Sequence, residues 1–264
     1  MLIDSHCHLN YPGLREDVAG VLARAREAGI GGFLGISTKR GEWEAVIAQA
    51  DAEPDIWATV GIHPHEADVH PDTDAVTLVD AARHGRVIGI GETGLDYFYD
   101  KSDRARQRAS FEAHIIAARA TGLPLIVHTR NAEADTLALL KAPGEGALRG
   151  VIHCFTASQA FADEALALGF YISLSGIVTF KNARDLQATA AVIPRDRLLV
   201  ETDAPFLAPV PMRGKVCEPG FVAHTARFVA GLRGETAEAL AQTTTANFLR
   251  LFDKARLSRA RLPT

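Results

Sequence analysis

At 264 residues, with 47% hydrophobic and 23% charged residues, the chain has the length and apolar content for a large buried core, which argues against disorder. Its formal net charge of −4 lacks the basic excess expected of a protein that grips long nucleic acid by counterion release. Three cysteines without CxxC spacing, Cys7, Cys154 and Cys217, argue against a disulfide framework and fit a reducing compartment.

The chain enters a strand pattern at once, LIDSHCHL, with no basic and apolar leader, and no apolar run reaches the length of a membrane span. A soluble, cytoplasmic protein is the expectation. Further short apolar runs follow in GGFLGIS, IWATVGIHP, VIGIGETGLD, LPLIVHTR, GVIHCF, GFYISLSGI and RLLVETDAP. Segments of helical periodicity lie between them: Arg15 to Ala28 stops at Gly29, Arg104 to Thr121 at Gly122, and Ser158 to Leu168 at Gly169, each glycine placed as a helix C-terminal cap. After the eighth run, Phe221 to Leu232 and Thr236 to Phe252 read as two closing helices, and Lys254, Arg256, Arg259 and Arg261 read as a frayed basic tail. Runs such as VIGIG are apolar on both faces, as in strands covered by helices outside and by a core inside. Strand and helix alternating eight times predict a single-domain (β/α)8 TIM barrel over residues 1–264, with an open doubly wound sheet as the alternative.

The reactive side chains gather at the ends of these runs: DSHCH, GIHPH, GET, VHTR, IHCF and ETDAP. In a (β/α)8 barrel all eight C-terminal strand ends meet at one mouth, so residues far apart in sequence converge there. His6 and His8 are two apart and share a strand face, with Asp4 one pleat deeper and placed to orient a histidine ring, and Cys7 turned the other way toward the helices. One His-x-His is weak by itself; a histidine with satisfied hydrogen bonds is the plainer reading. Glu92, His128, His153 and Asp203 change the balance. Singly, Glu92 reads equally as a loop carboxylate, His128 and His153 as core histidines, and Asp203 as a turn residue before Pro205. Together, four histidines and two carboxylates exceed one closed structural zinc site and suit two divalent ions with open positions. His63 is a candidate for contact with phosphate or for support of the ligands, His65 for the surface, and His70, His84, His114 and His224 for structural roles. Arg130, and Arg213 with Lys215 in the loop PVPMRGKVCEPGF, are candidate anion binders, with an ordinary connecting loop as the plainer reading of the latter; Cys217 and Glu218 take no role from spacing.

The set DSHCHL, GIHPH, GETGLDY, PLIVHTR, IHCFTAS, ETDAPFLAP and RGK..EP, in that order to about Phe252, resembles the TatD family of metal-dependent deoxyribonucleases. The resemblance implies a TIM barrel with two divalent ions: His6, His8, Glu92 and Asp203 on the first, and Glu92, His128 and His153 on the second, with Glu92 bridging. Related cyclic-amide hydrolases carry a carboxylated lysine at the bridging position, and Glu92 there speaks for phosphodiester chemistry. Family members often read RGKRNEP where this chain has Val216 and Cys217. The expected activity is metal-dependent hydrolysis of DNA, with a 3'-5' exonuclease-like preference for strand ends or single strands, and with Asp203 and Glu92 catalytic. Asp203 would orient a metal-activated water and accept its proton, while His63, Arg130, Arg213 and Lys215 hold phosphate. D-aminoacyl-tRNA ester hydrolysis on the same site is the alternative, and a non-catalytic metal or nucleic-acid binding barrel is the weakest reading. Ligand softness leaves Mg, Mn, Zn, Fe and Ni open. No membrane or obligate protein partner is expected, and a monomer is the default.

Overall fold

The computed structural model describes residues 1–257. Eight parallel strands follow one another in sequence order around a single sheet: β1 (Leu2–Cys7), β2 (Ile30–Gly35), β3 (Ile56–Val60), β4 (Val87–Asp96), β5 (Leu125–Arg130), β6 (Gly150–Ile152), β7 (Tyr171–Leu174) and β8 (Leu198–Val200). Between them run α1 (Val18–Glu27), α2 (Trp43–Ala52), α3 (Ala75–Ala81), α4 (Arg104–Thr121), α5 (Glu133–Lys141), α6 (Gln159–Ala167) and α7 (Arg184–Val192); α8 (Val222–Arg233) and α9 (Ala237–Leu251) follow β8. This is the expected (β/α)8 barrel rather than an open sheet. Among the described residues no helix is long and apolar enough to cross a membrane. Lys254 and Arg256 are exposed, and the rest of the expected basic tail lies outside the described residues.

Several boundaries coincide with the sequence pattern for clear chemical reasons. Helix α4 spans the predicted Arg104 to Thr121; the Asp103 carboxylate accepts from the Ala105 and Arg106 amides at its start, and Gly122 takes the left-handed conformation, φ 69°, at its end. Ser158 and Thr236 cap α6 and α9 in the same way. Apart from β4, which spans the whole of VIGIGETGLD, the strands are shorter than the apolar runs. Past β1, β6 and β8 the chain leaves the sheet before His8, His153 and Asp203, so these stand on loops seated on a rigid sheet.

The apolar residues divide into two bodies. Ile3, Leu34, Trp57, Ile88, Ile126, Val151, Tyr171 and Leu199 fill the barrel interior, which Phe248, Leu251 and Phe252 of the α9 end plug from the N-terminal face of the strands. Val87 and Ile90 belong instead to the larger layer between strands and helices, as the two-faced apolar runs require. The barrel closes at β1 and β8 through a seam. The Asp203 amide donates to the His6 carbonyl at 3.0 Å and the His8 amide to the Ala204 carbonyl at 2.8 Å. The Ser5 hydroxyl reaches the Val200 carbonyl at 3.0 Å.

His114 of α4 sets the start of the loop after β3. Its Nε2 accepts the Ile62 amide at 2.9 Å, so the ring proton is on Nδ1, which donates to the Ser110 carbonyl at 2.7 Å. Burial pulls this ring's pKa down from 6.5 to about 4. The unfolded chain then takes up a proton at higher pH than the folded one, so the contribution is complete above about pH 6.5 and is lost as pH falls toward 4. In urea denaturation, wild type is expected to be more stable than His114→Gln at pH 7. That gap should narrow by about 2–3 kcal/mol at pH 4.5; a gap independent of pH contradicts the assignment.

Candidate active site

The strand ends bring His6, His8, Glu92, His128, His153 and Asp203 into one cluster at the C-terminal mouth of the barrel. Glu92, on β4, is 3% exposed and stands at the centre. Its Oε2 lies 3.3 Å from His6 Nε2 and 3.9 Å from His8 Nε2. Its Oε1 lies 2.8 Å from His153 Nε2, 3.3 Å from His128 Nδ1 and 3.4 Å from His63 Nε2. The two oxygens of one carboxylate thus serve two groups of imidazoles. Asp203 Oδ1 joins the first group, 3.2 Å from His8 Nε2 and 3.6 Å from His6 Nε2.

Local backbone geometry explains how Glu92 comes so close. Gly94 has φ 133°, and a Cβ built there would overlap the His128 carbonyl oxygen, so β4 lies backbone to backbone on the strand that carries His128. The flanking glycines of GIGETG are therefore more than turn formers.

The electrostatics follow from this packing. Burial alone would raise the Glu92 pKa, but His153, His63 and His6 around it hold it well below the ordinary carboxylate range. Burial depresses the rings, yet Glu92 and Glu201 raise His153 well above the usual imidazole value, the hydrogen bonds to Asp96 and Glu92 raise His128, and Asp203 raises His8. His6 goes down, through burial and then the neighbouring His153, whose ring stacks on it at 3.9 Å. Asp203 is held below its usual value, because His8 and His6 outweigh its burial. Imidazoles and carboxylates thus compensate one another inside the cluster.

These residues fit divalent ions. His6 Nε2 and His8 Nε2 point at each other across 3.3 Å beside two carboxylates. His153 Nε2 is buried without a hydrogen-bond partner although Glu92 Oε1 is 2.8 Å away, the misaligned contact of two ligand atoms turned toward a shared centre rather than toward each other. Ligand atoms of His6, His8 and Asp203 lie within 4.8 Å of one another, as do those of His63, Glu92 and His128. His63 is nonetheless a poor ligand. Its Nδ1 accepts the His65 amide at 3.1 Å, which leaves the neutral ring's proton on Nε2, facing Glu92. The tautomer makes it a donor, as suits contact with phosphate or support of the ligands.

Two carboxylates absent from the candidate set emerge as positioning residues. Asp96 Oδ2 receives His128 Nε2 at 3.0 Å, leaving Nδ1 for the cluster, and Glu201 Oε1 lies 3.2 Å from His153 Nδ1 while accepting the Cys154 amide at 2.7 Å. Carboxylates of this kind fix the tautomer and aim of a metal-ligating histidine. Both stand in strand-end motifs, GETGLD and ETDAP, and their position after buried apolar runs was the available signal.

Other expectations need correction. His65 is not a surface residue: Pro64 starts a single 3-10 turn, Pro64–Glu66, that folds the ring back onto Asp96 Oδ2 at 2.9 Å. Asp4 orients no ring. The β1–β2 register shifts between Asp4 and Cys7, breaking strict alternation, and the Asp4 carboxylate accepts the Thr202 amide at 2.9 Å and the Thr202 hydroxyl at 2.6 Å. Asp4 is a clasp of the seam, its pKa pushed up to about 8 by burial. Cys7 is turned outward as expected, with Sγ 3.6 Å from the Leu34 carbonyl.

A cavity of about 870 Å³ opens over the cluster, lined by His63, Arg130 and Lys101 among others. Arg213 and Lys215 are not part of its lining. Both are exposed, and the Arg213 guanidinium lies 4.1 Å from the Phe180 ring centroid. The proline- and glycine-rich loop carries these two cations past the rim, and Lys101, in the loop after β4, faces the cavity in their stead. In the loop of Arg213 and Lys215, after β8, Cys217 is buried, Val216 is exposed, and Glu218 pairs with Arg24 at 2.9 and 3.0 Å. His70, His84, His114 and His224 belong neither to the cavity nor to the metal-capable groups of the described residues.

A family model described as TatD related DNase matches residues 3–253. The chain is 44% identical over 265 residues to the uncharacterized metal-dependent hydrolase YcfH of Escherichia coli K12, covering 98% of this chain and 99% of that protein. It is 38% identical over 258 residues to the 3'-5' ssDNA/RNA exonuclease TatD of Edwardsiella piscicida, covering 95% and 99%. The solved structure of YJJV, a TatD homolog from E. coli K12, superposes with a TM-score of 0.90 at 30% identity over 96% of this chain and 98% of that one. A mutant organophosphorus hydrolase from Deinococcus radiodurans, at 19% identity and a TM-score of 0.66, shares the fold alone.

Asp96→Asn and Glu201→Gln are each expected to weaken divalent-ion binding about 10–100-fold, measured by equilibrium dialysis of folded protein. Wild-type affinity in both variants contradicts their positioning role.

Proposed function

The chain belongs to the family of TatD-related DNases and is a metal-dependent hydrolase, and from that premise we propose that it hydrolyses phosphodiester bonds of DNA at strand ends or in single strands, in the 3'-5' exonuclease sense. The observation that carries the reading is the division of the Glu92 oxygens between two groups of imidazoles, which suits a carboxylate shared by two divalent ions. His6, His8, Glu92 and Asp203 would hold one ion, and Glu92, His128 and His153 the other. When bound, such ions supply Lewis-acid charge for phosphoryl oxygens and lower the pKa of water toward about 7.

The chain's own groups supply the remainder. Asp203, kept ionised by His8 and His6, accepts a proton from the attacking water, as a carboxylate at the rim with 15% of its side chain exposed can do. His63 offers its Nε2 proton to a phosphate oxygen. Arg130 and Lys101 place cations along the cavity wall. Gripping only a few phosphates requires little counterion release, which reconciles a net charge of −4 with a nucleic-acid substrate. The relative from Edwardsiella, named for activity on ssDNA and RNA, supports this class of substrate.

With Mg²⁺ or Mn²⁺ the protein is expected to shorten 5'-labelled single-stranded DNA from its 3' end, and Glu92→Ala to lose at least about 1,000-fold of that rate, more than one electrostatic contact supplies. No metal-dependent cleavage by wild type, or unchanged cleavage by Glu92→Ala, removes the reading. A parallel assay on D-aminoacyl-tRNA separates it from ester hydrolysis: release of the amino acid without DNA cleavage selects the deacylase alternative.

A further inference from the structure

Two sets of aromatic rings rise on opposite lips of the cavity. After β4, Phe98 and Tyr99 stand edge to face, centroids 4.9 Å apart, and remain 53% and 51% exposed. The Arg130 guanidinium covers them at 4.1 and 4.7 Å. On the β1/β8 lip, Tyr11 stacks on His8 at 4.8 Å, and Phe206 stands edge-on to Tyr11 at 6.0 Å while 49% exposed. Half-exposed rings grouped at the mouth of a cavity mark a surface for binding.

Both lips are tied to the metal-capable cluster. Asp96 Oδ1 accepts the Phe98 and Tyr99 amides at 3.0 and 2.8 Å, while Oδ2 of the same carboxylate holds His128. The Phe206 amide donates to the Asp203 carbonyl at 2.9 Å, and the Tyr11 hydroxyl is fixed to Thr38 Oγ1 at 2.6 Å. The rings are therefore held at set positions relative to the cluster, one set on each side of it. The cavity, at about 870 Å³, is near the upper end of the roughly 300–1,000 Å³ span of small-ligand pockets.

We propose that these are two nucleobase-stacking subsites, Phe98 and Tyr99 with Arg130 on one side and Phe206 with Tyr11 on the other, which present the phosphate between two unstacked bases. The inference rests on the phosphodiesterase reading and specifies what that site recognises. A cation laid against aromatic rings suits an anionic strand with π-faced bases, and stacking of this kind reads no base identity. Bases must leave a duplex to reach the two lips, so the subsites select unpaired strand.

The test compares kcat/KM, with Mn²⁺, on oligothymidylate and on an oligomer of the same length built from tetrahydrofuran abasic residues. Wild type is expected to prefer oligothymidylate by about 10-fold or more. Phe98→Ala/Tyr99→Ala and Phe206→Ala should each reduce that ratio several-fold, with Phe206→Trp restoring it and circular dichroism confirming that each variant is folded. In EDTA, fluorescence anisotropy of labelled oligothymidylate should show binding weakened about 10-fold in the double variant. Equal wild-type rates on the two oligomers overturn the subsites and leave the phosphodiesterase reading intact. Cleavage of neither overturns both.

Discussion

The structure is organised around a buried carboxylate, Glu92, that would be prohibitively costly without compensation. Taking an ionised carboxyl group out of water costs several kcal/mol even after relaxation, and an apolar barrel offers nothing to offset it. Five imidazoles supply the compensation, drawn from β1, β3, β5 and β6 or the loops just past them. Only a fold that gathers the ends of many strands at one place can provide that number of partners from residues so far apart in sequence.

The barrel seam shows how closely closure and chemistry are joined. The backbone hydrogen bonds that bring β1 to the segment after β8 involve His6, His8 and Asp203, the residues that form one half of the cluster. Asp4 and Thr202 secure the same seam just below. Disturbing this edge of the barrel therefore disturbs the ligands, and a change that leaves the ligands in place must also preserve closure. Asp96 and Glu201 extend the organisation outward, holding His128 and His153 by the nitrogen that does not face the cluster, and Asp96 holds His65 as well.

The sequence made the barrel legible because eight two-faced apolar runs alternated with capped helices, and α4 and β4 fall on the residues their patterns indicated. It made the six cluster residues legible because each stands in the polar motif that follows an apolar strand run. What it concealed was local. His65 read as a surface residue, whereas the tight turn that Pro64 starts brings its ring inward to Asp96. Period-two alternation placed Asp4 beneath His6, but the register shift in β1 moves it to the seam. Arg213 and Lys215 were read from charge and proximity along the chain, and an irregular loop has no periodicity from which to tell that it passes outside the rim. Partners of the histidines, Asp96 and Glu201, stand in the motifs GETGLD and ETDAP, yet which ring nitrogen meets which carboxylate exists only in three dimensions.

The central claim is that the two oxygens of Glu92 join two ion sites into one centre. Isothermal titration of metal-free protein with Mn²⁺ tests it most directly, comparing wild type with Glu92→Gln, which keeps the shape and removes the charge. Two ions per wild-type chain and loss of high-affinity binding at both sites in the variant are expected. Two ions bound by Glu92→Gln with wild-type affinity would contradict it.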